Sequence, residues 1–108
     1  MSAIREYVDE NGRSPFGVWR AELDDFARAK VTTAVLRLEQ GNTSNVKAVG
    51  EGVSELKIDF GPGYRVYFGR DRASLVILLG GGTKKRQQQD IARAQERWQD
   101  YKQRKARK

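Results

Sequence analysis

A chain of 108 residues with 21 Lys and Arg against 14 Asp and Glu is one domain's length of basic protein, net charge +7. It has no Cys and no His, which excludes disulfides, Cys-held zinc, thiol nucleophiles, Ser-His-Asp triads and His-ligated metals. No stretch approaches the ~20 apolar residues of a membrane span, and the N-terminus lacks the pattern of a secretory signal, so a single cytoplasmic domain over residues 1–108 is expected.

Ala3 to Asp9 reads as a short strand, with Ile4 and Val8 on one face and Arg5 and Tyr7 on the other. Asn11-Gly12 supplies a turn. Ser14-Pro15 reads as N-cap and first helical residue, because the hydroxyl caps free amides and proline fits the first turn. Phe16, Trp19 and Leu23 then share one helical face. Asp24 and Asp25 can cap a second helix, whose stripe is Phe26, Lys30, Val31, Ala34, Val35 and Leu38, with Lys30 able to snorkel. Gly41-Asn42 ends it as a left-handed cap. Phe16, Trp19, Phe26 and Trp98 all sit at core spacings. Asp24, Asp25 and Asp90 are explained as caps and first-turn acids rather than metal ligands.

From Val53 to Phe60 the pattern alternates, Leu56, Ile58 and Phe60 against Glu55, Lys57 and Asp59. Gly61-Pro62-Gly63 is a turn. Tyr64, Val66 and Phe68 alternate with Arg65 and Tyr67, and Leu75 to Leu79 is continuously apolar, as in a strand covered on both faces. Gly80-Gly81-Gly82 is expected to leave the sheet. Gln87 to Arg104 reads as a helix with Ile91, Ala94, Trp98 and Tyr101 on one face, and residues 103–108 read as a frayed basic tail. The order is βααβββα: an α+β fold in which an N-terminal strand and a helical hairpin pack on a small, mainly antiparallel sheet, with a basic C-terminal helix. The opposite sheet face is expected to carry Lys57, Arg65 and Tyr67 together, two cations and an aromatic ring suited to an RNA strand.

The charge is concentrated at one end. Residues 1–83 balance, and residues 84–108 carry the whole excess, which suggests contact with a polyanion or an acidic protein and salt-dependent affinity from that segment. Gly80 to Lys85 looks like part of a phosphate-binding loop, but Lys85 stands where Ser or Thr is needed, so triphosphate binding is rejected.

Several stretches carry a resemblance: Ser14-Pro15-Phe16-Gly17-Val18-Trp19, Leu36 to Asn42, Val46 to Leu56, Gly61-Pro62-Gly63-Tyr64-Arg65-Val66-Tyr67-Phe68, and Leu78 to Lys84 followed by Gln87 and Asp90-Ile91. In these the chain resembles the RelE/ParE superfamily of type II toxins, in its HigB-like addiction-module-killer branch. The resemblance implies the RelE-like fold and ribosome-dependent cleavage of mRNA, without metal or cofactor. It also implies an antitoxin partner, in this branch often a helix-turn-helix protein. Arg65 matches a phosphate-contacting catalytic position, Lys57 the basic strand position and Lys84 the lysine after the final strand. The late positions hold Gln87, Gln88 and Gln89 instead of a Tyr or His. Proton transfer is therefore left to Lys57, Lys84, Tyr64 or Tyr67, with Lys47, Lys85, Arg86 and Arg93 as further RNA contacts. Two other readings stand beside this one: a gyrase poison of the ParE type, and a non-enzymatic basic module that only binds its antitoxin or nucleic acid.

Overall fold

The computed structural model describes residues 2–107. The elements are β1 (Ala3–Glu6), α1 (Pro15–Ala21), α2 (Asp25–Glu39), β2 (Val46–Gly50), β3 (Val53–Ile58), β4 (Tyr64–Arg70), β5 (Leu75–Thr83), one 3-10 turn (Lys84–Arg86) and α3 (Gln87–Ala106). The five strands lie in the order β1-β5-β4-β3-β2. β1 runs parallel to β5, and the other pairs are antiparallel. This is the expected α+β layout with one more strand, β2, at the edge. With Lys47 and Ala48 exposed and a bulge before Gly50, β2 has little apolar pattern to read.

Local chemistry sets the helix starts. The Ser14 hydroxyl accepts from the Gly17 amide at 3.0 Å, with Pro15 opening α1. Asp24 accepts from the Ala27 amide at 2.9 Å and caps α2. Gly41, at φ +95°, turns the chain out of α2. The buried stripe of α2 starts at Ala27 and runs through Val31 to Leu38. Phe26 is not part of it: it lies in the first turn of α2 and is 76% exposed. Lys30 is at the stripe's edge, its ammonium 5.4 Å from the Phe60 ring centre. β1 stops at Glu6, so Val8 does not share a face with Ile4; Val8 is exposed and Tyr7 is buried against α3.

The sheet is covered on both faces. On one, Leu56, Ile58, Tyr64, Val66, Phe68, Val76 and Leu78 pack against Phe16, Ala27, Val31 and Leu38 of the hairpin. On the other, Val53, Tyr67, Ile77 and Leu79 pack against Ala94 and Trp98 of α3, with Ile91 and Tyr101 at the border. The expectation of an open, cation-bearing face is thus overturned. The apolar stripe of α3 has to be buried somewhere, and it is received by the second sheet face. Glycine makes the contact close: a Cβ at Gly69 would fall 2.6 Å from the Trp98 ring.

The three glycines do not leave the sheet. Gly80, Gly81 and Gly82 pair with Tyr67, Val66 and Arg65, after a bulge that places Leu79 and Gly80 on the α3 side. They are small because large groups lie on them. The Trp19 ring covers Gly81 from the hairpin side, and the Asp90 carboxylate covers Gly82 from the α3 side. α3 extends past residue 103. It continues to Ala106, where Lys105 meets Asp71 and Arg104 meets Asp100, while Lys108 lies outside the described residues. Among the described residues, no helix is long and apolar enough to cross a membrane.

Candidate functional site

Cross-strand register brings the central candidates together. Arg65 lies directly opposite Lys57 on β3 and Gly82 on β5; one row along, Tyr67 lies opposite Glu55, which in turn lies opposite Lys47. Paired residues share a face. Lys47, Glu55, Lys57, Arg65 and Tyr67 are therefore one array beneath and beside the start of α3.

Arg65 is held rather than free. Its side chain is 7% exposed, Nη1 donates to the Gly63 carbonyl at 2.9 Å, and Nε is 3.6 Å from Glu55. Glu55 is itself 4% exposed and accepts from the Gln87 side-chain amide at 2.7 Å. Gln87 thus ties the first residue of α3 to the sheet through the carboxylate that balances Arg65. Tyr67 is fully buried, and its hydroxyl and the Arg65 Nε find no hydrogen-bond partner among the described residues. Burial, and then the Glu55 charge, hold the Tyr67 phenol protonated far above the ordinary tyrosine range. It cannot stack on a base from this position.

The lysines are at the rim. Lys57 is exposed, 3.6 Å from Asp59. Lys84 is exposed, and its backbone amide donates to the same Gly63 carbonyl that takes Arg65, so the turn before β4 ties the two together. Tyr64 is on the other side of the sheet, packed with Trp19 and Phe60 in the hairpin core, and does not join the array. Lys47 is exposed on the edge strand, and Lys85 is exposed in the 3-10 turn.

Arg86 and Arg93 belong to a second feature. β1 stops pairing with β5 at Leu78, so beyond that point β5 has an open outer edge. Along this edge runs a cleft of about 480 Å³ between α1 and α3. Pro15, Val18, Trp19 and Glu22 form one wall; Arg86, Asp90, Arg93 and Arg97 form the other; Gly81 to Thr83 are the floor. Arg97 donates to the Leu79 carbonyl at 3.0 Å. Burial, and then the neighbouring Arg93, lower its pKa. Burial raises the pKa of the Asp90 carboxyl even though Arg86, Arg93 and Arg97 pull the other way. With Asp9 and Arg13 also in its lining, the cleft gathers four arginines, Arg13, Arg86, Arg93 and Arg97, and three carboxylates, Asp9, Glu22 and Asp90, of which burial raises the pKa of Asp90.

Reading the residues one by one missed Glu55, Asp90 and Arg97. A helical wheel of the last helix holds the signal for two of them. Arg86, Asp90, Arg93 and Arg97 recur at four, three and four residues, a polar stripe beside the apolar one. Glu55 had no such signal, because its burial depends on where α3 lands.

Fold and site define a small basic α+β domain with a cationic cleft beside a buried arginine. Residues 19–99 match the family described as Phage derived protein Gp49-like (DUF891). The chain belongs to this phage-derived family, which is associated with toxin–antitoxin modules. It is also similar to an uncharacterized protein of Haemophilus influenzae strain Rd, 43% identical over 80 residues that cover 73% of this chain and 81% of the relative.

Proposed function

We propose that this protein is the toxin of a type II toxin–antitoxin module, and that it arrests growth by cutting mRNA on the ribosome. The observation that carries the reading is the Arg65 row: a guanidinium fixed by Glu55 and the Gly63 carbonyl, with Lys57 and Lys84 at its rim and Asp90 over its strand partner Gly82. Family membership supports the module and an antitoxin partner.

The chemistry needs only the RNA's own 2′-hydroxyl. The 2′-oxygen bonds to phosphorus as the bond to the 5′-oxygen breaks, leaving a 2′,3′-cyclic phosphate and a 5′-hydroxyl. Arg65 is the charge clamp on the phosphate, since a preorganised cation acts at once on developing charge. Asp90, with its raised pKa, takes the 2′-hydroxyl proton, and Lys84 or Lys57 protonates the departing oxygen.

The test is brief induction in cells followed by primer extension on cellular mRNA, with Lys57→Ala and Lys84→Ala beside the wild type. Both lysines are exposed, so the variants should fold. Cuts inside translated frames, weakened in the variants, are expected. Growth arrest with a supercoiling defect and no cuts would make the protein a gyrase poison. One observation, the 7% exposure of the Arg65 side chain, favours a binding-only module; neither cuts nor arrest would establish that reading.

A further inference from the structure

We propose that the α1–α3 cleft is a nucleotide site that seats one RNA nucleotide, its base against Val18 and Trp19 and its phosphate against Arg93 and Arg97, next to the phosphate held at Arg65. The inference rests on the RNA reading and adds to it a named subsite and ligand class.

Three observations carry it. First, the two walls differ in kind. The α1 wall offers apolar surface: Val18 is 41% exposed, and Trp19 lines the cleft while its ring covers Gly81. The α3 wall offers guanidiniums. A nucleotide has the same two halves, a flat apolar base and an anionic phosphate, and about 480 Å³ is in the range of small-ligand sites.

Second, the arginines are under-used. Arg97 is partly buried, yet among the described residues its guanidinium donates only to the Leu79 carbonyl, and Arg93 lies close enough to lower its pKa. Each guanidinium carries five donors in a fixed fork. Like charges crowded in a partly desolvated place are stabilised by an anion between them, and phosphate fits the fork at two points.

Third, the floor permits close approach and is continuous with Arg65. Gly81 and Gly82 lie on the stretch of β5 that β1 leaves unpaired, so its main-chain edge faces the cleft while Trp19 and Asp90 cover the strand's two faces. Gly82 is the strand partner of Arg65, and neighbouring strands lie about 4.8 Å apart. A nucleotide in the cleft is thus one strand spacing from the row that holds the reacting phosphate. Glu22, an acceptor on the base-side wall, favours a base with N–H donors on its edge, and guanine offers two side by side.

The experiment titrates the full-length protein with guanosine 5′-monophosphate or with inorganic phosphate, following the two tryptophan indole N–H signals by NMR. Trp98 is buried under Tyr101 on the sheet and serves as the internal reference. The expected result is a shift of the Trp19 signal alone, with the nucleotide binding about 10-fold tighter than phosphate because the base contributes. Arg93→Gln and Val18→Asp, both at exposed positions, should each weaken binding at least about 10-fold, since each removes one half of the site. Arg37→Gln, the same charge change on α2, should not. Equal affinity for phosphate and nucleotide, equal loss in Arg37→Gln, or no Trp19 shift at millimolar nucleotide would each overturn the inference. Ribosome-dependent cleavage measured on the same proteins separates the two readings. Cleavage without nucleotide binding sinks the cleft and leaves the toxin; nucleotide binding without cleavage sinks the nuclease and leaves the cleft.

Discussion

Arg65 joins function and folding at one position. The alternation of Tyr64, Val66 and Phe68 puts it on the opposite face, which suggests a surface cation removable without cost. Its position under α3 diagonally beside a buried Glu55 reverses that expectation. Arg65→Ala leaves Glu55 as a buried charge with only Gln87 to meet it, and breaking such a pair costs on the order of 3–5 kcal/mol. Chemical denaturation should show that loss in Arg65→Ala. The double variant Glu55→Leu with Arg65→Met should recover most of it while remaining non-toxic, because apolar replacement of a buried pair is often neutral or better. Recovery of toxicity along with stability would remove Arg65 from the site. Asp90 makes a second residue-scale prediction. Its pKa is raised in the folded state, so its favourable contribution is present below the unfolded value near 3.8 and is lost as pH rises through the folded value. At neutral pH the ionised carboxylate is therefore a cost. Asp90→Asn should melt higher than the wild type at pH 7 but not below pH 3.8. Single-turnover cleavage should fall about 100-fold with the base gone, while RNA affinity holds or tightens. Cleavage at the wild-type rate would show that Asp90 moves no proton.

At the scale of the element, α3 decides the site. Its stripe of Ile91, Ala94, Trp98 and Tyr101 is plain in the sequence, and the structure buries it as expected. What the stripe does not say is which surface receives it. The far end is secured by two carboxylates. Asp71 accepts from the Tyr101 hydroxyl at 2.7 Å and from Lys105 at 2.6 Å. Asp100 accepts from the Tyr7 hydroxyl at 2.6 Å and from Arg104 at 2.9 Å. The hydrogen bond from Lys105, then that from Tyr101, lowers the Asp71 pKa; the hydrogen bond from Tyr7 is the largest influence lowering Asp100. A depressed folded pKa gives stability that is present above the unfolded value near 3.8 and lost as pH falls through the folded one. Amide protection at the C-terminal turns of α3, taken relative to the intrinsic exchange rate at each pH, should therefore fall below about pH 4 in the wild type. In Asp71→Asn those turns should already exchange faster at pH 7, with a weaker response to acid. If exchange there were the same in both proteins at every pH, Asp71 would not anchor the helix.

For the whole molecule, the +7 charge is less uniform in its use than its concentration after Thr83 suggests. Arg104 and Lys105 are engaged with Asp100 and Asp71, whereas Arg86, Arg93 and Arg97 line the cleft. At 1.5 Å per residue, Lys105 is about 18 Å along the helix from Arg93. Salt-dependent RNA affinity should then come from the first half of α3. With Arg65, Arg86, Arg93 and Arg97 each meeting a phosphate, log affinity for single-stranded RNA against log salt should slope about −3, and Arg86→Gln or Arg93→Gln should flatten it by about 0.7. A chain ending at Tyr101 should keep the wild-type slope; a flattened one would return the contacts to the tail. The sequence by itself determined the features that local pattern controls: the capped helices at Ser14 and Asp24, the alternation of β3 and β4, the fully covered β5, and the placing of Arg65 and Lys57 on one face. These depend on periods of 3.6 and 2 and on turn chemistry within a few residues. Only the tertiary structure decided that α3 closes over that face, that Glu55 becomes the partner of Arg65, and that Trp19 and Asp90 meet across the glycines of β5 beside an open cleft. Those outcomes depend on which of several apolar surfaces pack together, and the residues that meet lie far apart in the chain, where no local period can report them.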